Sequence, residues 1–307
     1  MEKTKSSEKE KSSKKTKGKE KMQLIIGNKR TDGRGFDELR PISMTAGVLQ
    51  KADGSASIEW GKNKIIAAVY GPREVFPKHI SDPYKAVIEC RYSMAPFSSI
   101  EEHSRTGPNR RSIEIGKIAR HVFDNVVLAN QFPNTKIDIS MEVLQSDGGT
   151  RVAAITAAAL ALADAGIPMK DVVCGVSVGK ADGHLVVDLN KYEDNLGSSD
   201  VPAVVSLRTG ELLLFQMDGM LTREEMHESI EKIFVAAGEV SKLQAAALKK
   251  RYEEIESKME ENAAALAESP APSFEEPAEG AVGIEGNGDL GEGADAGAGL
   301  DTRDVGY

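Results

Sequence analysis

Aromatic residues make up only 5% of this 307-residue chain, with a single tryptophan, and cysteine occurs twice. Cys90 and Cys174 both lie in apolar, strand-like segments. They read as buried reduced thiols in a reducing compartment, which excludes a disulfide-framed secreted scaffold. No apolar run reaches transmembrane length, and the lysine-rich start lacks the apolar segment of a secretory signal. The sequence therefore reads as cytoplasmic, with no membrane partner. The histidines His79, His103, His121, His184 and His227 show no metal-ligand spacing, and none is assigned to a metal.

What is present is unevenly spread. Residues 1–21 hold nine lysines against four acids, a net of +5, and residues 263–307 hold ten acids against Arg303, a net of −9. The whole chain carries −9, so residues 22–262 carry −9 − 5 + 9 = −5. Neither end has hydrophobic periodicity. One is a Lys/Ser/Glu tract and the other a Gly/Ala/Glu/Pro tract. Both are expected to stay disordered, because they bury too little apolar surface to offset the entropy of ordering. The expected folded unit is 22–262, a size that suits one domain.

Within it, strand signals dominate early, at Ser43–Leu49, Ser55–Trp60, Lys64–Tyr70 and Ala86–Met94, followed by a long polar loop from Ala95 to Asn109. Ile115, Ile118, Ala119, Val122 and Val126 share one face of a helix over about Arg111–Ala129. A strand at Ile137–Leu144 and a small-residue helix at Val152–Ala165 come next. Further strands are expected at Val172–Gly179, His184–Leu189, Ala203–Leu207 and Leu212–Met217. Thr222 and Glu225 make a capping box for a last helix running to about Met259. This order predicts an α+β domain, with sheets covered by helices.

Three places carry chemistry. The first is Leu144–Gln145–Ser146–Asp147–Gly148–Gly149–Thr150–Arg151, where an alternating strand hands over to a helix. Ile137, Ile139, Met141 and Val143 point one way there, and Asp138, Ser140 and Glu142 the other. A helix N-terminus offers unpaired N–H groups and the positive end of a dipole. Glycine lets the backbone approach a ligand, Thr150 adds a hydroxyl and Arg151 a planar charged fork. The turn reads as a seat for inorganic phosphate at Gly149, Thr150 and Arg151. Taken alone it also reads as a glycine turn before a core helix.

The second is Arg110–Arg111, at the start of the next helix back. Adjacent arginines are electrostatically awkward there, since the dipole prefers anions. The cost makes sense if a polyanion passes and two guanidinium groups clamp successive phosphates; the plain alternative is a solvated pair. The third is Asp194 and Asp200, six residues apart in a segment containing Gly197. If the loop folds back, two carboxylates suffice for Mg²⁺, which keeps much of its water, and one of them can protonate a leaving oxygen. Seen alone, they are ordinary loop acids. Together the three sites describe phosphate attacking a phosphodiester, where positioning and charge neutralisation supply most of the catalysis.

On these motifs the segment from Arg30 to about Arg251 resembles the RNase PH family of phosphate-dependent 3′→5′ exoribonucleases. The resemblance is carried by Thr31–Asp32–Gly33–Arg34, Leu39–Arg40–Pro41, Arg110–Ile115, Leu144–Arg151, Ala161–Pro168, Val178–Gly183 and the Asp194/Asp200 pair. It is similar to the catalytic branch found in archaeal exosomes. Bacterial members typically have a methionine-asparagine pair after the second aspartate, where this chain has Val201–Pro202.

The resemblance implies an RNase PH-like fold of two βαβ-like halves. It implies a hexameric ring shared with an inactive paralogous subunit, capped by OB-fold RNA-binding subunits and acting on single-stranded RNA. It implies catalysis by Asp194, Asp200 and Arg151, with Mg²⁺ or Mn²⁺ on Asp194 and Asp200 and inorganic phosphate as co-substrate. Asp194 is implied as general acid or metal ligand. Arg110 and Arg111 are implied to contact RNA, with Lys78 and His79 placed where the family narrows its RNA channel. Asp188 is a further but weaker candidate, with a structural role at a strand end as the favoured reading.

Three other readings compete. An inactive ring subunit should lack the phosphate seat or the aspartates, and this chain has both. A homohexameric, tRNA-trimming enzyme differs around Asp200 and Arg110. A non-catalytic RNA-binding module built on the lysine tail fits poorly with a folded part at −5.

Overall fold

The computed structural model describes residues 23–27, 29–99 and 109–268. The expectations for residues 1–21, for 100–108 including His103, and for 269–307 lie outside the described residues.

A small ribbon pairs β1 (Ile25–Ile26) with β2 (Lys29–Arg30). The first large sheet contains β3 (Ile42–Ala46), β4 (Gly54–Trp60), β5 (Asn63–Glu74), β6 (Val87–Met94) and β7 (Thr135–Gln145). Its order is β3-β4-β5-β7-β6. All neighbours are antiparallel except β6 and β7, which are parallel and joined through α1 (Arg110–Val126). A parallel pair needs such a crossover.

The second sheet has the order β11-β10-β8-β9, from β8 (Cys174–Ala181), β9 (His184–Val187), β10 (Ser199–Ser206) and β11 (Glu211–Phe215). The short β12 (Asp218–Gly219) also pairs with β10. Both β9 and β10 run antiparallel to β8, so they are parallel to each other with β8 between them. The chain crosses from one to the other through a short helix, α3 (Lys191–Leu196). Each half thus has a βαβ-like crossover, direct in the first and split in the second.

Between the sheets lies α2 (Thr150–Asp164), which contacts β4, β5 and β7 on one side and β8 and β10 on the other. Every residue from Val152 to Leu162 is buried, which a helix covered on both faces requires. The approach is close. A Cβ on Gly54 would lie 2.3 Å from the Ala161 carbonyl oxygen, and one on Gly175 would lie 2.7 Å from that of Val152. The alanine-rich sequence of α2 fits this spacing. Ile137, Ile139, Met141 and Val143 are buried, and β7 places them against Ile65, Ala67 and Val69 of β5.

The last helix, α4 (Arg223–Glu268), starts as expected: the Thr222 N–H donates to Glu225 at 2.9 Å, and the Glu225 N–H to the Thr222 hydroxyl at 3.3 Å. It runs nine residues past Met259. No helix among the described residues is long and apolar enough to cross a membrane.

Candidate active site

The turn between β7 and α2 is built on two successive left-handed residues, Gly148 at φ 80° and Gly149 at φ 66°. Gly149 is the N-cap of α2 and has no side chain to satisfy the first helical N–H groups. Among the described residues no side chain caps those donors, an arrangement that suits an external acceptor. Gly148 serves a second purpose: a Cβ there would lie 2.7 Å from the Asn190 carbonyl carbon and 2.8 Å from the Lys191 nitrogen. Its absence lets the turn lie directly on the N-terminus of α3, which carries Asp194.

Asp194 and Asp200 do not share a turn. Asp194 is in α3 and Asp200 in β10. Tertiary contacts hold α3, despite its six residues. Asn190 and Glu193 form a capping box, and the buried Glu193 carboxylate is ion-paired with the buried Arg30. Arg30 also donates to the carbonyls of Val187 at 2.6 Å and Asp188 at 2.7 Å. The motifs Thr31–Arg34 and Leu39–Pro41 thus frame the site through Arg34 and Arg40. Arg34 donates to the Asp188 carbonyl at 3.2 Å, and Arg40 reaches both Asp188 and the glycine turn before α2. Asp188 is buried within this arginine set, a structural role.

The carboxyl of Asp200 is pushed up to about 6, first by loss of water on burial and next by repulsion from Asp194; Arg151 opposes the rise. The Asp194 side chain reaches solvent, but neighbouring protein strips part of its water. That partial loss of water raises its pKa, against the pull of Arg151 and Arg111. The Arg151 guanidinium donates to the side-chain amide oxygen of Gln216, Oε1, at 2.7 Å, which steadies it. Arg111, exposed in the first turn of α1, lies with its Nη2 3.5 Å from the Thr150 hydroxyl. The structure therefore gathers Thr150, Arg151, Arg111, Asp194 and Asp200. Arg110 is exposed beside Arg111. Lys78 and His79 form an exposed 3-10 turn with Ile80, and among the described residues no hydrogen bond or ion pair joins them to this cluster.

Sequence reasoning missed Asp218 and Tyr92. Asp218 pairs with Asp200 across β10 and β12, so their side chains share a face, and its charge raises both aspartates. Among the described residues no three His, Cys, Asp or Glu side chains are gathered as a closed metal site. Two acidic oxygen donors, one deprived of water and repelled by the other, fit a hard divalent cation that needs only one or two protein ligands.

Comparison with known proteins gives the family and the fold. The profile of the 3′ exoribonuclease (RNase PH) family matches residues 38–168 as its domain 1 and residues 171–232 as its domain 2. The chain is 52% identical over 244 residues to "Exosome complex component Rrp41" of Thermococcus kodakarensis, covering 79% of this chain and 98% of that one. It is 53% identical over 242 residues to the protein of the same name from Pyrococcus furiosus, covering 78% and 96%. Among solved structures it is similar to rice Rrp46, with TM-score 0.65 and 28% identity over 72% of this chain and 100% of that one. An Archaeoglobus fulgidus exosome with RNA bound to the active site shares the fold, with TM-score 0.61 and 22% identity over 69% and 91%.

Proposed function

The chain belongs to the RNase PH family of 3′ exoribonucleases, and we propose that it is the catalytic subunit of an archaeal-type exosome. It degrades single-stranded RNA from the 3′ end with inorganic phosphate, releases nucleoside diphosphates, and can run in reverse to extend a 3′ end. One observation carries this reading. An uncapped helix N-terminus with Gly149, Thr150 and Arg151 stands within electrostatic reach of Asp194 and Asp200.

In the forward reaction, an oxygen of inorganic phosphate attacks the phosphorus of the last phosphodiester. The bond to the 3′ oxygen of the preceding nucleotide breaks. The terminal nucleotide leaves as a diphosphate, and the shortened strand needs a proton on its new 3′ hydroxyl. The α2 N-terminus, Thr150 and Arg151 hold the attacking anion, and Arg110 and Arg111 hold RNA phosphates. Asp194, whose pKa is raised by partial burial, supplies the proton or serves as a metal ligand. Asp194 and Asp200 would hold Mg²⁺ or Mn²⁺, which when bound neutralises the charge that accumulates as two anions meet. Lys78 and His79 extend the RNA path.

The partners follow from the family resemblance, and the charge agrees with them. Residues 22–262 carry −5, so a channel for a polyanion needs basic groups from neighbours. A hexameric ring shared with an inactive RNase PH-like paralogue, capped by OB-fold RNA-binding subunits, supplies them. Work in the cytoplasm fits the reduced cysteines.

The test is product analysis. With single-stranded RNA and inorganic phosphate the assembled enzyme should release nucleoside diphosphates and stop when phosphate is removed. Nucleoside monophosphates formed in phosphate-free buffer would overturn the reading.

A further inference from the structure

We propose that Tyr92 is a positioning residue of the phosphate seat: its phenol orients the Thr150 hydroxyl so that the Thr150 proton is left for inorganic phosphate. The proposal rests on reading the Gly149–Arg151 turn as that seat. Tyr92 is buried in β6, and its hydroxyl lies 3.0 Å from Thr150 Oγ1. Arg111 Nη2 approaches the same oxygen at 3.5 Å.

A threonine hydroxyl has two acceptor lone pairs and one proton. Arg111 is a donor only. Burial pushes the Tyr92 pKa up, so the phenol keeps its proton and has it to give. With both neighbours donating, the lone pairs of Thr150 are engaged and its own proton is unspent. Thr156, two turns further along α2, behaves differently. Its hydroxyl donates to the Val152 carbonyl at 2.8 Å and accepts from the Gly175 N–H at 2.9 Å, which closes its hydrogen bonding within the core. Thr150 is the first residue of α2, where the carbonyl four residues back, that of Ser146, lies outside the helix. A hydroxyl at a helix N-terminus, its oxygen approached by two donors, presents its proton to the same anion that the helix N-terminus binds. Tyr92 acts through Thr150 and does not touch phosphate.

The experiment is a double-mutant cycle on the assembled enzyme, with steady-state kinetics in phosphate and in RNA. Tyr92→Phe removes one oxygen and keeps the ring. It should raise the KM for phosphate about five- to tenfold, as expected for one hydrogen bond. The KM for RNA should change far less, and the thermal midpoint should fall by no more than about 2–4 °C. Thr150→Val should raise the phosphate KM by at least as much, and adding Tyr92→Phe to it should have no further effect. Thr150→Ser, which keeps the hydroxyl, should restore sensitivity to Tyr92→Phe. If Tyr92→Phe leaves the phosphate KM unchanged, or raises it equally in the Thr150→Val background, the positioning role is overturned while the phosphate seat stands. If Thr150→Val itself leaves the phosphate KM unchanged, the seat is wrong and this proposal falls with it.

Discussion

Arg40 Nη2 lies 2.7 Å from Asp188 Oδ1, its Nε lies 2.9 Å from Asp188 Oδ2, and both side chains are buried. The same guanidinium donates to the Asp147 carbonyl at 2.6 Å, in the glycine turn before α2. One ion pair therefore ties a segment near the chain start, the end of β9 and the turn before α2. It sets where the Gly148–Gly149 turn stands, and the Arg40 charge also reaches Asp194.

Removing one partner of such a pair leaves the other charge buried and unpaired, at a cost of about 3–5 kcal/mol. Asp188→Asn should lower the thermal midpoint by on the order of 10 °C. Burial alone would raise the Asp188 pKa, but hydrogen bonds and charge from Arg40 outweigh it and hold the carboxyl below 3.8. A carboxyl lowered in the folded state binds its proton more readily when unfolded. Its contribution is therefore fully present above the unfolded pKa of about 3.9, and is lost as pH falls through the folded value. Denaturation of both proteins from pH 7 to pH 2 checks this. The stability gap should be constant down to about pH 4 and shrink below it.

Arg110 and Arg111 are neighbours in sequence, but only Arg111 approaches Thr150. Arg110→Ala should weaken RNA binding alone, whereas Arg111→Ala should weaken RNA binding and also raise the KM for phosphate. Each lost contact to a single strand should reduce the slope of log affinity against log salt by about 0.7. RNA titrations at several salt concentrations, beside phosphate kinetics, separate the two. Equal phosphate effects from both variants would refute the assignment.

Much of this was legible in the sequence, and the exceptions share a physical cause. The alternation from Ile137 to Val143 and the glycine turn are local patterns, and the sheet and helix follow them. The capping box at Thr222 was readable because a long apolar pattern followed it. The same signature at Asn190–Glu193 opens a helix of six residues, too short for periodicity to show, whose stability comes from Arg30 at the other end of the chain. Asp194 and Asp200 therefore read as one turn, although they sit on a helix and a strand. Asp218 and Tyr92 are invisible to any local reading. One meets Asp200 through strand register, and the other meets Thr150 across 58 residues of chain.

Adjacent residues in α3 separate chemistry from architecture. Glu193 is buried against Arg30, whereas Asp194 opens toward the Arg151 side of the site. Asp194→Asn removes a charge and a proton donor while leaving packing untouched. Turnover at saturating phosphate and Mn²⁺ should fall by about 10²–10⁴-fold, the range for loss of a positioned acid. RNA affinity should hold or improve slightly, because a negative charge leaves a site that binds a polyanion, and the thermal midpoint should not move. Glu193→Gln should do the reverse, since it strips Arg30 of its buried counter-charge and costs about 3–5 kcal/mol. Its specific activity, measured well below the lowered midpoint, should fall far less than that of Asp194→Asn. Single-turnover assays with thermal denaturation of both variants make the comparison. Full activity in Asp194→Asn would remove that carboxyl from the mechanism and leave Asp200 as the acid to examine, with its pKa pushed up to about 6.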